Sequence, residues 1–212
     1  MLVNLIRTGT LVKRHENPFS THVPVLVGLS LISKWNNILE FGSGLLSTPL
    51  LSDSRIFKDT THVISYENDN SWFQKVREAV SMKPGVSLRY VEGNMSAAIN
   101  PVEVAKSDLI FIDDSSVCSQ RVQTIQQVIK HKPNCVLIHD FEVFRYRFAA
   151  RGMPNMHLFK AFIPNTGLLW TGDMINRELV TRIDRLIGLH SKRISPDDTS
   201  GWLELFSAEL PV

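Results

Sequence analysis

Short apolar runs recur through the first two thirds of the chain, at Asn37–Phe41, His62–Glu67, Val86–Val91, Asp108–Asp113 and Asn134–Asp140. Each has the length of a strand buried on both faces, and each gap leaves room for a helix. Helical periodicity is clearest over Asn70–Ser81 and Ser119–His131. It also precedes the first run, over His22–Lys34, where Val23, Leu26, Val27, Ser30 and Leu31 share a face. Alternating strands and helices predict a parallel sheet with right-handed crossovers. The pattern changes after residue 153. His157–Ile163 and Leu168–Thr171 flank Pro164-Asn165-Thr166-Gly167, a turn signal, and predict an antiparallel hairpin. Asn176–His190 reads as an amphipathic helix carrying Leu179, Ile183, Leu186 and Ile187 on one face. Ser200–Val212 is expected as a strand or a docked tail, and residues 1–20 as an irregular arm.

The expected fold class is therefore α/β: a Rossmann-like, doubly wound, mostly parallel seven-stranded sheet with a C-terminal antiparallel hairpin and helices on both faces. One domain is expected over 1–212, with an arm and helix at 1–35, a core at 36–172 and a helix and tail at 173–212. A length of 212 residues suits one such domain. A net charge of +2 is too mild to argue for a nucleic-acid partner. Cys118 and Cys135 lack metal-binding or redox spacing, and Cys135 lies in an apolar run. No run approaches the roughly 18 apolar residues of a membrane helix. Met1–Arg7 is too short and polar for a signal peptide, so a cytoplasmic protein without a membrane partner is expected. Nothing in the sequence fixes an oligomeric state.

The chemistry concentrates at the ends of the runs. Ile38-Leu39-Glu40-Phe41-Gly42-Ser43-Gly44 reads as a buried strand entering a tight turn, where glycines reach dihedrals a Cβ would forbid. The second run ends in Glu67, placed to accept both hydroxyls of a ribose. A nucleoside-containing ligand across two adjacent strand ends follows. Gly42-x-Gly44 alone also suits a dinucleotide, so an NAD(P)-dependent oxidoreductase is one rival reading. Glu40 tips the balance, because a carboxylate there repels a pyrophosphate and suits a sulfonium ligand with an α-amino group.

These residues resemble the class I S-adenosylmethionine-dependent methyltransferases over about residues 22–172. Glu40-Phe41-Gly42-Ser43-Gly44 is similar to that family's glycine-rich first motif, and Glu67 to its ribose-binding acid. Gly93-Asn94-Met95 falls where the family contacts adenine, and Asp108–Asp113 resembles its fourth-strand motif beside the methyl-transfer site. Leu46 departs from the pattern, standing where many members have a third glycine; Ser47-Thr48 can supply a hydroxyl and cap the next helix. The resemblance implies S-adenosyl-L-methionine as cofactor, held by Glu40, Gly42, Ser43, Gly44, Thr48, Glu67, Asn68, Gly93, Asn94, Met95 and Asp113. Asn94 as a plain helix cap is the competing reading, and Trp72 is expected in the core.

At the other strand ends stand Asp113, Asp114, His139 and Asp140. An imidazole there has the intrinsic pKa to take a proton from a hydroxyl, so His139, Asp140 and Asp113 are the candidate catalytic residues. Catechol-type O-methyltransferases resemble this edge, with two acids and an asparagine on Mg²⁺. Phe141 stands at the asparagine's place, so Mg²⁺ on Asp113 and Asp140 is the less favoured alternative and no metal ligand is assigned. Asp113-Asp114-Ser115-Ser116 is not the Asn/Asp-Pro-Pro-aromatic motif of enzymes that methylate base amino groups. The expected acceptor is a hydroxyl of a small or sugar-like molecule, its pocket formed by residues 1–35 and 141–160. A scaffold that keeps the fold but not the activity is the non-enzyme alternative.

Overall fold

A computed structural model describes residues 17–210 and a short antiparallel backbone pair, Ile6–Arg7 with Thr10–Leu11, in the segment expected to be irregular. Its centre is a seven-stranded sheet. In chain order the strands are β1 (Asn37–Phe41), β2 (His62–Glu67), β3 (Val86–Tyr90), β4 (Leu109–Ile112), β5 (Cys135–Ile138), β6 (Asn155–Phe159) and β7 (Thr166–Trp170). They lie side by side as β3-β2-β1-β4-β5-β7-β6. Strands β1 to β5 are mutually parallel, while β7 runs antiparallel to both β5 and β6. The strand order reverses beside β1, so the ends of β1 and β4 flank a crevice of the kind that binds ligands in open α/β sheets.

Eight α-helices cover the sheet among the described residues: α1 (Val23–Ile32), α2 (Ser47–Leu51), α3 (Asn70–Val80), α4 (Pro101–Lys106), α5 (Cys118–Lys130), α6 (Phe144–Ala149), α7 (Arg177–His190) and α8 (Thr199–Glu209). Alternate strand positions feed two cores, because successive side chains point to opposite faces. Ile38, Leu109, Phe111, Cys135 and Leu137 join α1, α7 and α8 on one side; Leu39, Phe41, Ile110, Ile112 and Ile138 join α5 and α6 on the other. Helix α1 is buried at every position from Val23 to Leu29, so its sequence shows a nearly continuous apolar run rather than one clean stripe.

Two local expectations fail. The C-terminal segment is a helix, α8, whose Asp198 side chain caps the Gly201 N–H; Trp202 and Phe206, four residues apart, stack at 5.7 Å in the core. Gly201 inside the first turn hides that helical signal. The hairpin turn also shifts: β7 already begins at Thr166, and residues 160–165 make the connection. Gly167 pairs with Ile138 inside that strand, and the position takes glycine because a Cβ would meet the Phe141 ring at 2.1 Å.

Candidate functional site

The loop after β1 is braced from within. Gly42 has φ +88°, and a Cβ on it would lie 2.4 Å from the Asp113 carbonyl oxygen. Glycine is thus demanded here by the end of β4. A Cβ at Gly44 would meet Ser47 Oγ at 2.5 Å, again a contact within the chain. The amides of Gly42 and Ser43 both donate to the Tyr66 carbonyl, at 2.9 and 3.1 Å. The Gly44 amide donates to Thr48 Oγ1 at 3.0 Å, and that hydroxyl donates to Glu40 Oε2 at 2.6 Å. Thr48 therefore does not cap α2, whose N-cap is Leu46 without a side-chain bond; it reaches back to hold the loop.

Glu40 is fully buried. Its Oε2 accepts from Thr48 and from Ser65 Oγ at 2.5 Å, while among the described residues Oε1 has no hydrogen-bond partner, although the Ser47 hydroxyl lies close enough to act on the carboxylate. Burial pushes the pKa of Glu40 up to about 7, against the pull of these hydroxyls. An unmatched oxygen on a buried acid calls for a donor from outside the chain, ideally a cation.

Glu67 ends β2, next to the loop. Its Oε1 accepts from the Asn68 and Asp69 amides at 2.8 Å each, and its Oε2 from Ser43 Oγ at 3.0 Å. Burial raises its pKa despite those bonds. Asn68 Nδ2 donates to the Gly93 carbonyl at 2.8 Å, which ties the β2 and β3 ends together. Trp72, expected in the core, is instead 36% exposed, and its indole N–H donates to the Ser43 carbonyl at 2.7 Å. Its polar edge is used to pin the loop, leaving the ring at the surface. Asn94 caps the short turn Met95–Ala98, accepting from the Ser96 amide at 3.1 Å. Met95, expected to face adenine, is buried in the core with Val104 and Ile125, because its apolar side chain fills the space beneath that turn.

The second half of the cleft lies at the ends of β4 and β5. His139 is buried, with Nδ1 3.2 Å from Asp113 Oδ1 and Nε2 2.8 Å from Thr21 Oγ1. Thr21 Oγ1 is also 2.9 Å from the Pro164 carbonyl, to which it donates. Burial works to lower the pKa of His139, but the Asp113 carboxylate outweighs it and the net shift is upward. For Asp113, burial is outweighed by His139 and Arg121, and its acidity is strengthened. Arg121, on the inner face of α5, gathers the acids. Its Nη2 is 3.1 Å from Asp113 Oδ1, its Nη1 2.6 Å from Asp140 Oδ2, and its Nε donates to the Asp114 carbonyl at 2.6 Å. Asp140 adopts φ +55°, a left-handed conformation that aspartate tolerates better than most residues. Asp114 is pushed up to about pKa 6 by burial, although Thr124 donates to it at 2.6 Å.

The structure thus brings Glu40, Gly42, Ser43, Gly44, Thr48, Glu67 and Asn68 into one half of the cleft, and Asp113, His139 and Asp140 into the other. Sequence reasoning missed Arg121, Thr21 and His22. Arg121 and Thr124 occupy buried positions of α5 beside Ile125 and Val128, a polar interruption of an apolar face that marks a buried network. No comparable signal marks Thr21 and His22, which precede an apolar helix.

No known sequence family matches the chain, and no curated protein sequence matches it. Solved structures do. A spermidine synthase in complex with the transition state analogue AdoDATO is 14% identical over 90% of this chain and 77% of that one, with a TM-score of 0.55. The O-methyltransferase TomG from Streptomyces achromogenes, in complex with SAM, is 13% identical over 74% and 82%, at 0.51. The fold is that of the class I S-adenosylmethionine-dependent methyltransferases. Of a third structure, PigF with SAH, this chain spans 55%, at 14% identity and a TM-score of 0.49. Two of these structures are named for different activities, a spermidine synthase and an O-methyltransferase, so the shared fold does not by itself give this chain a reaction.

Its residues fit S-adenosylmethionine better than a dinucleotide. A pyrophosphate needs free amides at the glycine loop, and the amides of Gly42, Ser43 and Gly44 are all engaged within the chain. The polar atom this loop leaves open is instead Glu40 Oε1, an acceptor without a hydrogen-bond partner among the described residues. Among the described residues no helix is long and apolar enough to cross a membrane.

Proposed function

We propose that the chain is an S-adenosylmethionine-dependent methyltransferase acting on a hydroxyl of a small or sugar-like molecule. The observation that carries this reading is the buried Glu40 with one oxygen unmatched, beneath a loop whose amides are already satisfied. Glu40 would hold the α-ammonium group, with Thr48 and Ser65 keeping the carboxylate in place. Glu67 would take the ribose hydroxyls on lone pairs left over from Ser43, Asn68 and Asp69. When bound, the cofactor supplies an electrophilic methyl group on a sulfonium. The protein's own part is to orient the acceptor and hold its proton.

Asp113 and Asp140 are the side chains that face outward at this edge, 23% and 32% exposed, while the His139 ring is sealed behind them. Asp113 and Asp140 would orient the acceptor hydroxyl, and its proton would end on the Asp113–His139 pair. The outer wall would come from residues near Thr21 and from α6, where Phe144 and Phe148 are exposed. Calorimetric titration with S-adenosylhomocysteine and, separately, with NAD⁺ tests the cofactor. Binding of the first and not the second is expected; the reverse would move the protein to the oxidoreductases.

A further inference from the structure

Among the buried polar groups that the proposed methyl transfer does not use is a histidine. His22, immediately before α1, is 2% exposed, and among the described residues neither of its ring nitrogens has a hydrogen-bond partner. A buried nitrogen left unpaired has lost its water without gaining a partner, so such groups call for an explanation. The ring does not sit among apolar neighbours alone. It packs against Phe111 at 4.9 Å and lies edge-on to His139, with centroids 5.0 Å apart. One nitrogen of His22, one nitrogen of His139 and one oxygen of Asp113 lie within 4.8 Å of one another.

The hydrogen bonds of His139 point the same way. The single proton of the Thr21 hydroxyl goes to the Pro164 carbonyl, so Thr21 Oγ1 accepts from Nε2–H of His139. A neutral His139 then turns its Nδ1 lone pair toward Asp113 Oδ1, 3.2 Å away. Two acceptors facing each other need a cation between them. A proton satisfies that pair and leaves His22 unmatched; a metal ion satisfies all three.

We propose that His22, Asp113 and His139 form a binding site for a divalent first-row transition ion such as Zn²⁺, Fe²⁺ or Co²⁺. Two imidazoles and one carboxylate suit these ions, whereas Mg²⁺ takes oxygen ligands. Bonds of about 2.0–2.2 Å place ligand atoms roughly 3–4.4 Å apart around such an ion, so small side-chain rotations close the set. Thr21 and the Pro164 carbonyl supply the outer hydrogen bond that fixes the tautomer and orientation of a ligating histidine. Arg121 braces Asp113 through Oδ1, and among the described residues no donor reaches Oδ2. This set differs from the two-carboxylate arrangement: Asp140 is held by Arg121 at 2.6 Å, and the next residue, Phe141, is buried against Gly167. On the methyl-transfer reading an ion here would polarise the acceptor oxygen in place of the proton transfer to Asp113 and His139; its binding does not rest on that reading.

The test is titration of the chelator-treated full chain with Co²⁺, followed by visible absorption and proton NMR. One Co²⁺ per chain is expected, with ligand-field bands, two hyperfine-shifted imidazole N–H signals and displacement by Zn²⁺. His22→Ala should weaken Co²⁺ binding at least about a hundredfold, since changes to outer partners alone cost roughly 10–100-fold, and Thr21→Val should fall in that latter range. Affinity unchanged by His22→Ala overturns the site, as does a wild-type spectrum with fewer than two shifted imidazole signals. The NMR readout uses wild-type protein, so it decides the matter even if His22→Ala does not fold. A parallel titration with S-adenosylhomocysteine separates the two readings. Cofactor binding without Co²⁺ binding removes the metal site alone, and Co²⁺ binding without cofactor binding removes the methyl-transfer reading alone.

Discussion

In the half of the cleft proposed for the cofactor, Thr48 meets Glu40 across eight residues of sequence; in the half proposed for the acceptor, Thr21 meets His139 across 118. The first half is a local device. One strand, one loop and one helical turn place an acid, two glycines and a hydroxyl, and a single crossover brings Glu67 to Ser43. The second half is assembled from the segment before α1, the ends of β4 and β5, and the buried face of α5. The electrostatics differ accordingly. Glu40 is surrounded by hydroxyls and keeps an unmatched oxygen, which leaves it waiting for a cationic ligand. Asp113 and Asp140 already have a cation, Arg121, supplied by the protein. One half leaves an acid open toward a ligand; the other fixes Asp113 and Asp140 on Arg121 and leaves the buried His22 as its open group.

The largest effect expected from breaking this contrast is at Arg121. Arg121→Ala would strip the partner from three acids at once, and removing one member of a buried ion pair costs about 3–5 kcal/mol. Chemical denaturation should show that loss in the free protein. A loss below about 1 kcal/mol would mean that the acids are solvated and the buried network contributes little. His139→Ala should come next. A residue that helps to hold the acceptor's proton contributes about 10²–10⁴ in kcat, while S-adenosylhomocysteine affinity in calorimetry should stay unchanged. A matching fall in cofactor affinity would erase the division into two halves.

Glu67→Ala tests the cofactor half in the opposite sense. Hydrogen bonds to a charged acceptor contribute roughly 1.5–3 kcal/mol, so S-adenosylhomocysteine should bind about tenfold to a hundredfold more weakly. Unchanged affinity in a folded variant would put the ribose elsewhere. Trp72→Phe should have a smaller effect, about 0.5–1.5 kcal/mol, seen as a modest drop in cofactor affinity through a loosened Ser43 carbonyl.

The pH dependence belongs to Glu40. Its folded pKa of about 7 lies above the ordinary 4.5, so the folded state binds the extra proton between those values. The contribution of Glu40 to stability in the free protein is therefore greatest below the ordinary pKa. It declines as pH rises toward 7 and is level beyond. A ligand bearing an α-ammonium group prefers the ionised form, so S-adenosylhomocysteine affinity should rise with pH up to about 7 and then flatten. Glu40→Gln should bind more weakly and lose that slope; an identical slope in the variant would assign the titration to another group.

What was legible in the sequence follows the same division. The five parallel strands, the switch in pattern near residue 153 and the glycine loop with its two acids each rest on a local signal. Apolar run length, a turn residue with φ +88° and an acid at a strand end all act within a few residues. Met95 and Trp72 were misjudged from sequence because an apolar or aromatic residue at a helix start carries no mark of the face it will take. The C-terminal helix was missed because Gly201 interrupts its pattern.

The sequence by itself determined the layering of the sheet and the loop after β1 with its two acids, since hydrophobic periodicity and turn stereochemistry are properties of the local chain. Only the tertiary structure decided the acceptor half. It seats the Arg121 guanidinium among three acids, closes Thr21 onto His139 and buries His22 beside them. Those contacts exist because α1 and α5 pack on opposite faces of one sheet and meet at the same edge, a juxtaposition that no local pattern encodes.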